Sequence, residues 1–428
     1  MARLLYTLAI FLLLPWALLH LLWRARRQPD YLRHWNERLG IYASRRAASG
    51  PVIWIHAVSV GETRAAEPLV ALLRTRYPDH VIVLSHTTPT GRAASQEIFG
   101  DRVERLYLPY DTPAAMRRFL RQLRPVLGVI METEIWPNLV AACRRQGVPL
   151  LLVNARLSAR SARRYALLPG LTRTALMGLR AIAAQGEADA RRLCELGARE
   201  VAITGNIKFD STPAPEMIAL GQGWRRAWQD DGRPRRVLLA ASTREGEEQL
   251  LLEALRRAPI ADLLVLLVPR HPQRFDAVFK LATELGYRVQ RRSAGMTLEP
   301  GTTLLLGDSM GEMYAYYAAA DLAFIGGSLL AYGSQNLIEA CVVGTPVLFG
   351  PSTFNFAWAA EAALDCGAAR QVGDAGELVG AAAALLDDPA LRRRMGEAGR
   401  EFANRHRGAS ERTLAILAQY LQATPTAR

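Results

Sequence analysis

The alternation of two kinds of segment constrains the fold of this chain more than any other feature. Between residues 50 and 350, short apolar segments rich in β-branched residues alternate with segments whose apolar residues recur every three or four positions. The first pair is PVIWIHAVS (51–59) and ETRAAEPLVALLRTRYP (62–78). Near-continuous apolar strands between amphipathic helices are typical of parallel sheets covered on both faces. The sequence therefore predicts an α/β fold.

The alternation occurs twice, with seven strand candidates before residue 210 and six between residues 235 and 350. Between the two series, DSTPAPEM (210–217) has two prolines and no periodicity, which is typical of a linker. We expect two doubly wound, Rossmann-like domains facing a cleft, with the ligand at the carboxyl ends of the strands. The predicted boundaries are 1–27 for a membrane anchor, 28–209 and 218–405 for the two domains, 210–217 for the linker, and 406–428 for a helix packing back on the first domain.

The amino terminus is apolar enough for a membrane. Residues 4–23 carry no charge and include one histidine, His20, and this length suffices for a helix to cross a bilayer core. Three arginines follow within four residues, against Arg3 alone before the segment, which predicts that the bulk of the chain is cytoplasmic. A buried core helix is the alternative. Whether Pro15 and His20 make the helix span the bilayer or lie in one leaflet stays open.

Residues 24–50 continue the basic character of this end of the chain. Aromatic residues between the arginines favour a juxtamembrane stretch that contacts anionic headgroups, and a solvated helix face is the alternative. The segment contains seven arginines, at positions 24, 26, 27, 33, 38, 45 and 46.

The net charge is +13, from 53 basic and 40 acidic residues. Only Lys208 and Lys280 are lysine, so 51 of the basic residues are arginine. This indicates a coding bias, so the arginine count by itself says little about function. With no helix-turn-helix, zinc-finger or RNP pattern, the charge favours a membrane surface over nucleic acid. Four separated cysteines and scattered histidines predict neither disulfides nor a metal site. We also expect no cofactor.

Glu62 opens a helix directly after the first strand, in HAVSVGETRAAE (56–67). A carboxylate in this place is commonly a plain electrostatic cap. Because the preceding loop is small and glycine-containing, Glu62 is also a candidate general base, provided that partial burial raises its pKa.

Two further groups follow later strands of the first half. In METEIWPN (131–138), Glu132 and Glu134 would point the same way on an extended strand end and could bind hydroxyls or a cation. The alternative is that Glu134 caps the helix that begins at Trp136-Pro137. In TGNIKFD (204–210), Lys208 is a lysine retained against the arginine bias, which suggests contact with a phosphate or carboxylate.

The second half supplies three strand–loop–helix junctions, in VPRHPQRF (268–275), GDSMGEM (307–313) and IGGSLLAYGSQNLIEA (325–340). In the third junction, we expect the glycines to let the backbone approach a ligand. Ser334, Gln335 and Asn336 should begin a helix whose free N–H groups bind a phosphate, and Glu339 should bind ribose hydroxyls. GxxxxGK[ST] and GxGxxG are absent, which disfavours ATPases and dinucleotide-binding enzymes.

Taken together, these motifs resemble the 3-deoxy-D-manno-octulosonic acid (Kdo) transferases of lipopolysaccharide assembly. The motifs that carry the resemblance are HAVSVGE, METEIWPN, NARLS, TGNIKFD, VPRHP, GDSMGEM and GGSLLAYGSQNLIEA, in this order.

The resemblance implies an inverting GT-B glycosyltransferase that moves Kdo from CMP-Kdo to a lipid A precursor without a metal. It implies that Glu62 is the catalytic base and that the enzyme is anchored on the cytoplasmic side of the inner membrane, in contact with anionic lipids. Arg156, Arg160, Arg163 and Arg164 are candidates for the phosphorylated acceptor, or a solvated helix face. The donor residues implied are Pro269, Arg270, Met310, Gly311, Glu312, Asn336, Leu337, Ile338 and Glu339.

Two alternatives stay open at this point. One is another GT-B enzyme, either a different nucleotide-sugar transferase or a sugar-nucleotide epimerase. The other, from a different class, is a membrane-anchored binding protein without activity.

Overall fold

The computed structural model describes residues 1–26, 28–42, 50–230, 233–295 and 297–422. The chain forms two compact units. Unit 1 comprises Met1–Ser211 and the described residues from Arg407 onward, and unit 2 comprises Thr212–His406.

Unit 1 is built on a seven-stranded sheet in which all neighbouring strands are parallel, in the order β3-β2-β1-β4-β5-β6-β7. The seven strand candidates of the first half are thus confirmed. They are Val52–His56 (β1), Val81–His86 (β2), Glu104–Tyr107 (β3), Pro125–Met131 (β4), Leu150–Ala155 (β5), Ala181–Ala184 (β6) and Val201–Ile203 (β7).

Helices cover both faces of this sheet. Hydroxyl side chains cap the amino-terminal ends of four of them. Each accepts a hydrogen bond from the backbone N–H three residues later; the four are Ser59, Thr88, Thr112 and Ser158. The helices are Ala2–Ala25 (α1), Val60–Arg76 (α2), Pro89–Phe99 (α3), Pro113–Leu123 (α4), Pro137–Gln146 (α5), Ala159–Ala166 (α6), Pro169–Leu176 (α7) and Glu187–Glu195 (α8).

The C-terminal helix, Ala409–Gln422, belongs to unit 1. Its residues Leu414, Leu417 and Leu421 join the core formed by α2 and one face of the sheet. Asp210 fixes the start of this helix, because its carboxylate accepts hydrogen bonds from the backbone N–H groups of Gly408 (2.6 Å) and Ser410 (2.5 Å). One side chain therefore joins two segments that lie about two hundred residues apart in the sequence.

Unit 2 repeats the architecture with a second seven-stranded parallel sheet, in the order β12-β13-β11-β10-β14-β15-β16. A separate antiparallel pair, β8 and β9, precedes it. The strands are Gln229–Asp230 (β8), Arg233–Pro234 (β9), Arg236–Thr243 (β10), Leu263–Pro269 (β11), Val289–Arg291 (β12), Leu304–Leu306 (β13), Leu322–Ile325 (β14), Val347–Phe349 (β15) and Ala369–Gln371 (β16).

The helices of unit 2 begin inside the predicted linker. The first helix starts at Pro215, so the interpretation of 210–217 as a linker throughout is wrong for its last three residues; a proline is well suited to the first helical position. The helices are Pro215–Ala227 (α9), Glu247–Arg257 (α10), Phe275–Glu284 (α11), Met313–Ala319 (α12), Ile338–Val343 (α13), Ala357–Asp365 (α14), Ala375–Asp387 (α15) and Pro389–Arg405 (α16).

One arginine of the segment after α1 does not face solvent as the sequence suggested, whereas Arg24, Arg26 and Arg33 are exposed. Arg38 is buried, stacks on the Tyr107 ring with its guanidinium carbon 4.1 Å from the ring centroid, and donates a hydrogen bond to the carbonyl of Thr87. This arginine therefore holds the segment against the sheet and is withdrawn from solvent. Arg27, Arg45 and Arg46 lie outside the described residues.

The contacts of Asp210 lead to a prediction about stability. Replacing Asp210 with Ala removes the acceptor of two backbone N–H groups, so we expect the free energy of unfolding to fall by about 1–2 kcal/mol. Chemical denaturation of the purified protein measures this. Asp79→Ala, in an exposed turn of the same unit, is the control and should change stability by less than about 0.5 kcal/mol. An equal effect of both changes would contradict the capping role.

Candidate active site

The reversal of strand order places two loops of unit 1 beside each other. From β1 the chain winds outward to β2 and β3, and from β4 it winds in the opposite direction to β7. Since β1 and β4 are neighbours, the loops after them diverge and leave a crevice at the carboxyl edge of the sheet. Glu62 follows β1, and Glu132 follows β4 directly.

Glu62 lies in the first turn of α2, and its carboxylate is held from two sides. One oxygen accepts a hydrogen bond from the backbone N–H of Val58 at 2.8 Å, and the other accepts one from the Ser59 hydroxyl at 3.0 Å. The Ser59 oxygen in turn accepts from the backbone N–H of Glu62. Glu62 thus contributes to a cap of the helix, as the plain interpretation expected, and this cap fixes the position of its carboxylate.

Burial raises the pKa of Glu62 to about 8, with a further contribution in the same direction from the carboxylate of Glu132. The hydrogen bonds from Val58 and Ser59 act in the opposite direction, because they stabilise the ionised form. A carboxyl group with this pKa exchanges its proton near neutral pH, which an ordinary surface glutamate does not.

Glu132 is ionised in the same surroundings because it has cationic neighbours. The ammonium nitrogen of Lys208 lies 2.7 Å from its carboxylate, with side chains 16% and 12% exposed. Burial alone would raise the pKa of Glu132, but Lys208 and Arg156 outweigh it and hold the pKa below its ordinary value. The two neighbouring carboxyl groups therefore differ in protonation at neutral pH.

Lys208 reaches Glu132 from the loop after β7. The buried side chain of Asn154, at the end of β5, accepts a hydrogen bond from the backbone N–H of Ile207, and Asn206 accepts one from that of Lys208. We expected Lys208 to contact a phosphate or carboxylate of a ligand. The structure gives it a carboxylate of the protein, since the buried Glu132 needs a positive partner.

The second glutamate of METEIWPN behaves differently from the expectation. Glu132 has a left-handed backbone, with φ at 59°, so the chain leaves the extended conformation there and the two side chains do not share a strand face. Glu134 does not cap α5, which begins at Pro137 with no side-chain cap. Burial raises the pKa of Glu134, which places a second group with an elevated pKa beside Glu132.

The arginines of NARLSARSARR divide into two groups. Arg156 lies beside Glu132 and helps to lower its pKa, so it belongs with the Glu62, Glu132 and Lys208 group. Arg160, Arg163 and Arg164 lie exposed on the short helix α6.

Unit 2 has its own reversal of strand order, between β10 and β14. The residue that organises it is Glu247 at the start of α10, which was not among the predicted site residues. Its buried carboxylate accepts hydrogen bonds from the backbone N–H groups of Arg244, Gly327 and Leu329, which joins the loops after the two strands. The signal was available, because Gly246-Glu247 opens the helix after β10 much as Gly61-Glu62 opens the helix after β1.

The glycine-rich loop after β14 packs against other segments of unit 2 at the positions where we expected a ligand to approach. A Cβ atom on Gly326 would lie 2.5 Å from Cα of Thr243, and one on Gly333 would lie 2.4 Å from the Phe354 ring. These two glycines therefore permit close packing of the unit's own chain segments.

The residues implied for the donor follow three strands of unit 2, β11, β13 and β14, at the carboxyl edge of the sheet. Pro269 ends β11, and the backbone N–H of Arg270 donates to the carbonyl of Thr243 at 3.0 Å. After β13, Gly311 has a φ of 82° and Glu312 pairs with Arg292 at 3.0 Å; Met310 is half exposed.

The third donor segment folds differently from the expectation. The helix α13 begins at Ile338, so Ser334, Gln335 and Asn336 precede it. The side-chain oxygen of Asn336 accepts a hydrogen bond from the backbone N–H of Ile338, and its amide donates to Glu339 at 3.1 Å. Leu337 and Ile338 are buried, so their contribution to a site is through the backbone. Among the described residues, no three His, Cys, Asp or Glu side chains are grouped to hold a metal ion.

Comparison with known proteins identifies the family. Residues 33–211 match the profile of "3-Deoxy-D-manno-octulosonic-acid transferase (kdotransferase)", and residues 251–402 match that of "Glycosyl transferases group 1". A 3-deoxy-D-manno-octulosonic acid transferase of Bordetella pertussis is 45% identical over 98% of this chain and 100% of its own length. The chain belongs to the Kdo transferase family. A relative of the same name from Haemophilus influenzae is 37% identical over 99% of each chain.

Kdo transferases are glycosyltransferases, so the chain is an enzyme of that class. Among solved structures, a UDP-N-acetylglucosamine 2-epimerase from Listeria monocytogenes, described as putative, covers 89% of this chain and 98% of its own, with a TM-score of 0.59. At 16% identity this likeness shows the fold alone and does not favour epimerase activity. With the two parallel sheets, it confirms the α/β, GT-B type fold.

The ion pair of Lys208 yields a second prediction. Lys208→Met leaves the buried carboxylate of Glu132 without its nearest cation, so we expect unfolding to become easier by about 3 kcal/mol at pH 7. Because the pKa of Glu132 is lowered in the folded state, the ion pair stabilises the folded protein at pH values above the ordinary glutamate pKa of 4.5. This stabilisation is lost as the pH falls below 4.5 and through the lowered pKa. The difference between wild type and variant should therefore narrow below about pH 4.5, as measured by denaturation across pH.

Lys280→Met provides the matched control, because Lys280 is exposed and lies 3.6 Å from Glu284 on the same helix. It should change stability by less than about 0.5 kcal/mol. The double variant Lys208→Met/Glu132→Gln should recover part of the loss. Additive effects of the two changes would show that the pair is not coupled.

Proposed function

We propose that this Kdo transferase moves Kdo from CMP-Kdo to a lipid A precursor in lipopolysaccharide biosynthesis, with inversion and with Glu62 as general base. The observation that carries the proposal is the state of Glu62. Its carboxyl group lies at the carboxyl edge of the parallel sheet, is fixed by Val58 and Ser59, and has a pKa of about 8.

The role of a base follows from the chemistry of glycosyl transfer. An acceptor hydroxyl attacks the anomeric carbon of the donor sugar, the bond from that carbon to the phosphate oxygen breaks, and the hydroxyl proton must be removed. A carboxylate with a raised pKa is a stronger base than an ordinary glutamate, which suits it to take this proton. A single displacement of this kind inverts the anomeric centre.

Glu132 has a supporting role in this proposal. Its negative charge contributes to the raised pKa of Glu62, and Lys208 and Arg156 keep it ionised. Since Lys208 is engaged with Glu132, we assign the leaving cytidine monophosphate to the basic and polar groups of unit 2, above all Arg270 and Asn336. We further propose that α1, with a mean hydropathy of 2.1 over 18 residues, attaches the enzyme to the cytoplasmic face of the inner membrane, where the acceptor lies.

The assay that tests the function supplies detergent-solubilised protein with CMP-Kdo and a tetra-acylated lipid A precursor, and follows the glycolipid by mass spectrometry. The wild type should add Kdo, and Glu62→Gln should lower the rate by about 10²- to 10⁴-fold because it has no base. Glu67→Gln, an exposed glutamate on the same helix, is the matched control and should retain activity.

Binding of cytidine monophosphate, measured by calorimetry, should be unchanged in Glu62→Gln, since the proposal gives this residue no donor contact. The absence of Kdo addition by the wild type, with turnover of a UDP-sugar in its place, would overturn the substrate assignment. Full activity of Glu62→Gln would overturn the assignment of the base.

The pKa of Glu62 sets the expected pH dependence of the rate. A base acts in its ionised form, so kcat should rise with pH and level off above about 8. Glu132→Gln removes a neighbouring negative charge, which lowers the pKa of Glu62 and moves the rise to lower pH. Steady-state rates between pH 5.5 and 9.5 measure both curves, and an unshifted curve in Glu132→Gln would contradict the coupling.

A further inference from the structure

The loop after β10 lies in the middle of the carboxyl edge of unit 2. In the sheet, β10 lies between β11 and β14. The residues implied for the donor follow β11, β13 and β14, and none of them belongs to the loop after β10. A ligand that contacts the loops on both sides of β10 lies over the end of β10 itself. The side chains that follow β10 are therefore placed to meet a part of the donor that the other three segments do not bind.

Two residues at this end of β10 have polar groups that the protein does not engage. Ser242 has a left-handed backbone, with φ at 55°, a conformation that is concentrated at functional sites when the residue is not glycine. Its side chain is partly exposed, and within the described residues its hydroxyl has no hydrogen-bond partner. Arg244 is also partly exposed, and no carboxylate of the described chain lies within ion-pair distance of its guanidinium group.

The two buried glutamates at the start of α10 do not neutralise Arg244. The carboxylate of Glu247 accepts hydrogen bonds from three backbone N–H groups. Glu248 pairs with Arg274 through two hydrogen bonds, the longer of which is 3.0 Å. Both carboxylates are thus satisfied inside the protein, and the positive charge of Arg244 remains for a ligand.

Aromatic stacking holds Arg244 in place. Its guanidinium carbon lies 4.5 Å from the centroid of the Tyr332 ring, and the Tyr332 hydroxyl donates to the carbonyl of Glu245 at 3.2 Å. Tyr332 belongs to the loop after β14 and precedes the donor residue Asn336 by four positions. Stacking engages the face of a guanidinium group, whereas its N–H groups lie in its plane and point past the ring. Arg244 is therefore oriented and can still donate to an anion.

Arg244 lies beside the basic residues that follow β11. The parallel register of the two strands ends with Thr243 opposite Pro269, so Arg244 and Arg270 are the next residues on strands about 4.8 Å apart. Burial lowers the pKa of His271, and three arginines act on it in the same direction; they are Arg244, Arg270 and Arg274. The loops after β10 and β11 thus place two guanidinium groups side by side.

The proposed donor has two anionic groups that are also adjacent. One is the phosphate, which we assign to Arg270 and Asn336. The other is the carboxylate of the sugar acid, which is bonded to the anomeric carbon, and in the donor this carbon also bears the phosphate oxygen. A carboxylate that leaves water on binding needs a positive partner or hydrogen-bond donors of its own.

We propose that Arg244, together with the Ser242 hydroxyl, binds the carboxylate of the donor sugar and selects a sugar acid over a neutral sugar. Arginine binds a carboxylate with two parallel hydrogen bonds, which an ester or a hydroxymethyl group does not reproduce. The inference rests on the proposed function, because it takes CMP-Kdo as the donor, and it adds the group by which the donor sugar is recognised.

Transfer assays of Arg244→Met, with the full chain in detergent, test this subsite. The KM for CMP-Kdo should rise at least about tenfold, because two charge-assisted hydrogen bonds are lost. The inhibition constant of cytidine monophosphate, which has no carboxylate, should be unchanged, and this also shows that unit 2 is folded. Arg256→Met is the matched control, since Arg256 is exposed at the opposite end of α10, and it should leave both constants unchanged.

A neutral donor analogue gives a second measurement. The methyl ester of CMP-Kdo should compete weakly with CMP-Kdo for the wild type, whereas Arg244→Met should bind the acid and the ester about equally. Ser242→Ala removes the hydroxyl and keeps a side chain at the left-handed position. It should raise the KM for CMP-Kdo about threefold, as expected for one neutral hydrogen bond.

The outcomes distinguish this inference from the proposed function. The absence of Kdo transfer by the wild type would overturn the proposed function and, with it, this inference. With an active wild type, an unchanged KM of Arg244→Met for CMP-Kdo would overturn the carboxylate subsite alone. A matching rise in the inhibition constant of cytidine monophosphate would show that Arg244 binds the phosphate, and equal discrimination against the ester by both proteins would place the carboxylate elsewhere.

Discussion

The parallel pairing of β1 with β4 is the constraint on which the rest of unit 1 depends. The chain winds outward in opposite directions from these two strands, so the loops that follow them diverge. Glu132 comes directly after β4, and Glu62 lies in the first turn of the helix after β1. The reversal brings them together, although they are 70 positions apart in the sequence. Without this pairing the two carboxyl groups would not influence each other.

The electrostatics of the site follow from which carboxyl group has a cation beside it. Both are buried, and burial favours the neutral form of each. Lys208 and Arg156 keep Glu132 ionised, and the negative charge that remains adds to the raised pKa of Glu62. Glu132 is therefore ionised at neutral pH, whereas Glu62 exchanges a proton near neutral pH.

The pattern of apolar residues predicted thirteen strands of the two main sheets correctly. Central strands such as β1 and β4 are the clearest cases, because they are buried along almost their whole length and are mainly apolar. The pattern missed β16, whose residues Ala369–Gln371 form an edge strand with two exposed side chains. It also placed the start of α13 too early, since Ser334 to Asn336 have the composition of a helix start but form a loop. Local composition does not distinguish these cases, because neighbouring segments decide them.

The sequence by itself determined the α/β class, the two-part organisation, the apolar amino-terminal helix and the family, since these depend on periodicity and on motifs that are local in the chain. Only the tertiary structure decided the partners of the charged groups. Lys208 meets Glu132, Arg38 stacks on Tyr107, and Tyr6 reaches Asp111, each across dozens of residues. The physical reason is that a buried charge takes the nearest partner in space, and distance in space is set by strand order and not by sequence separation.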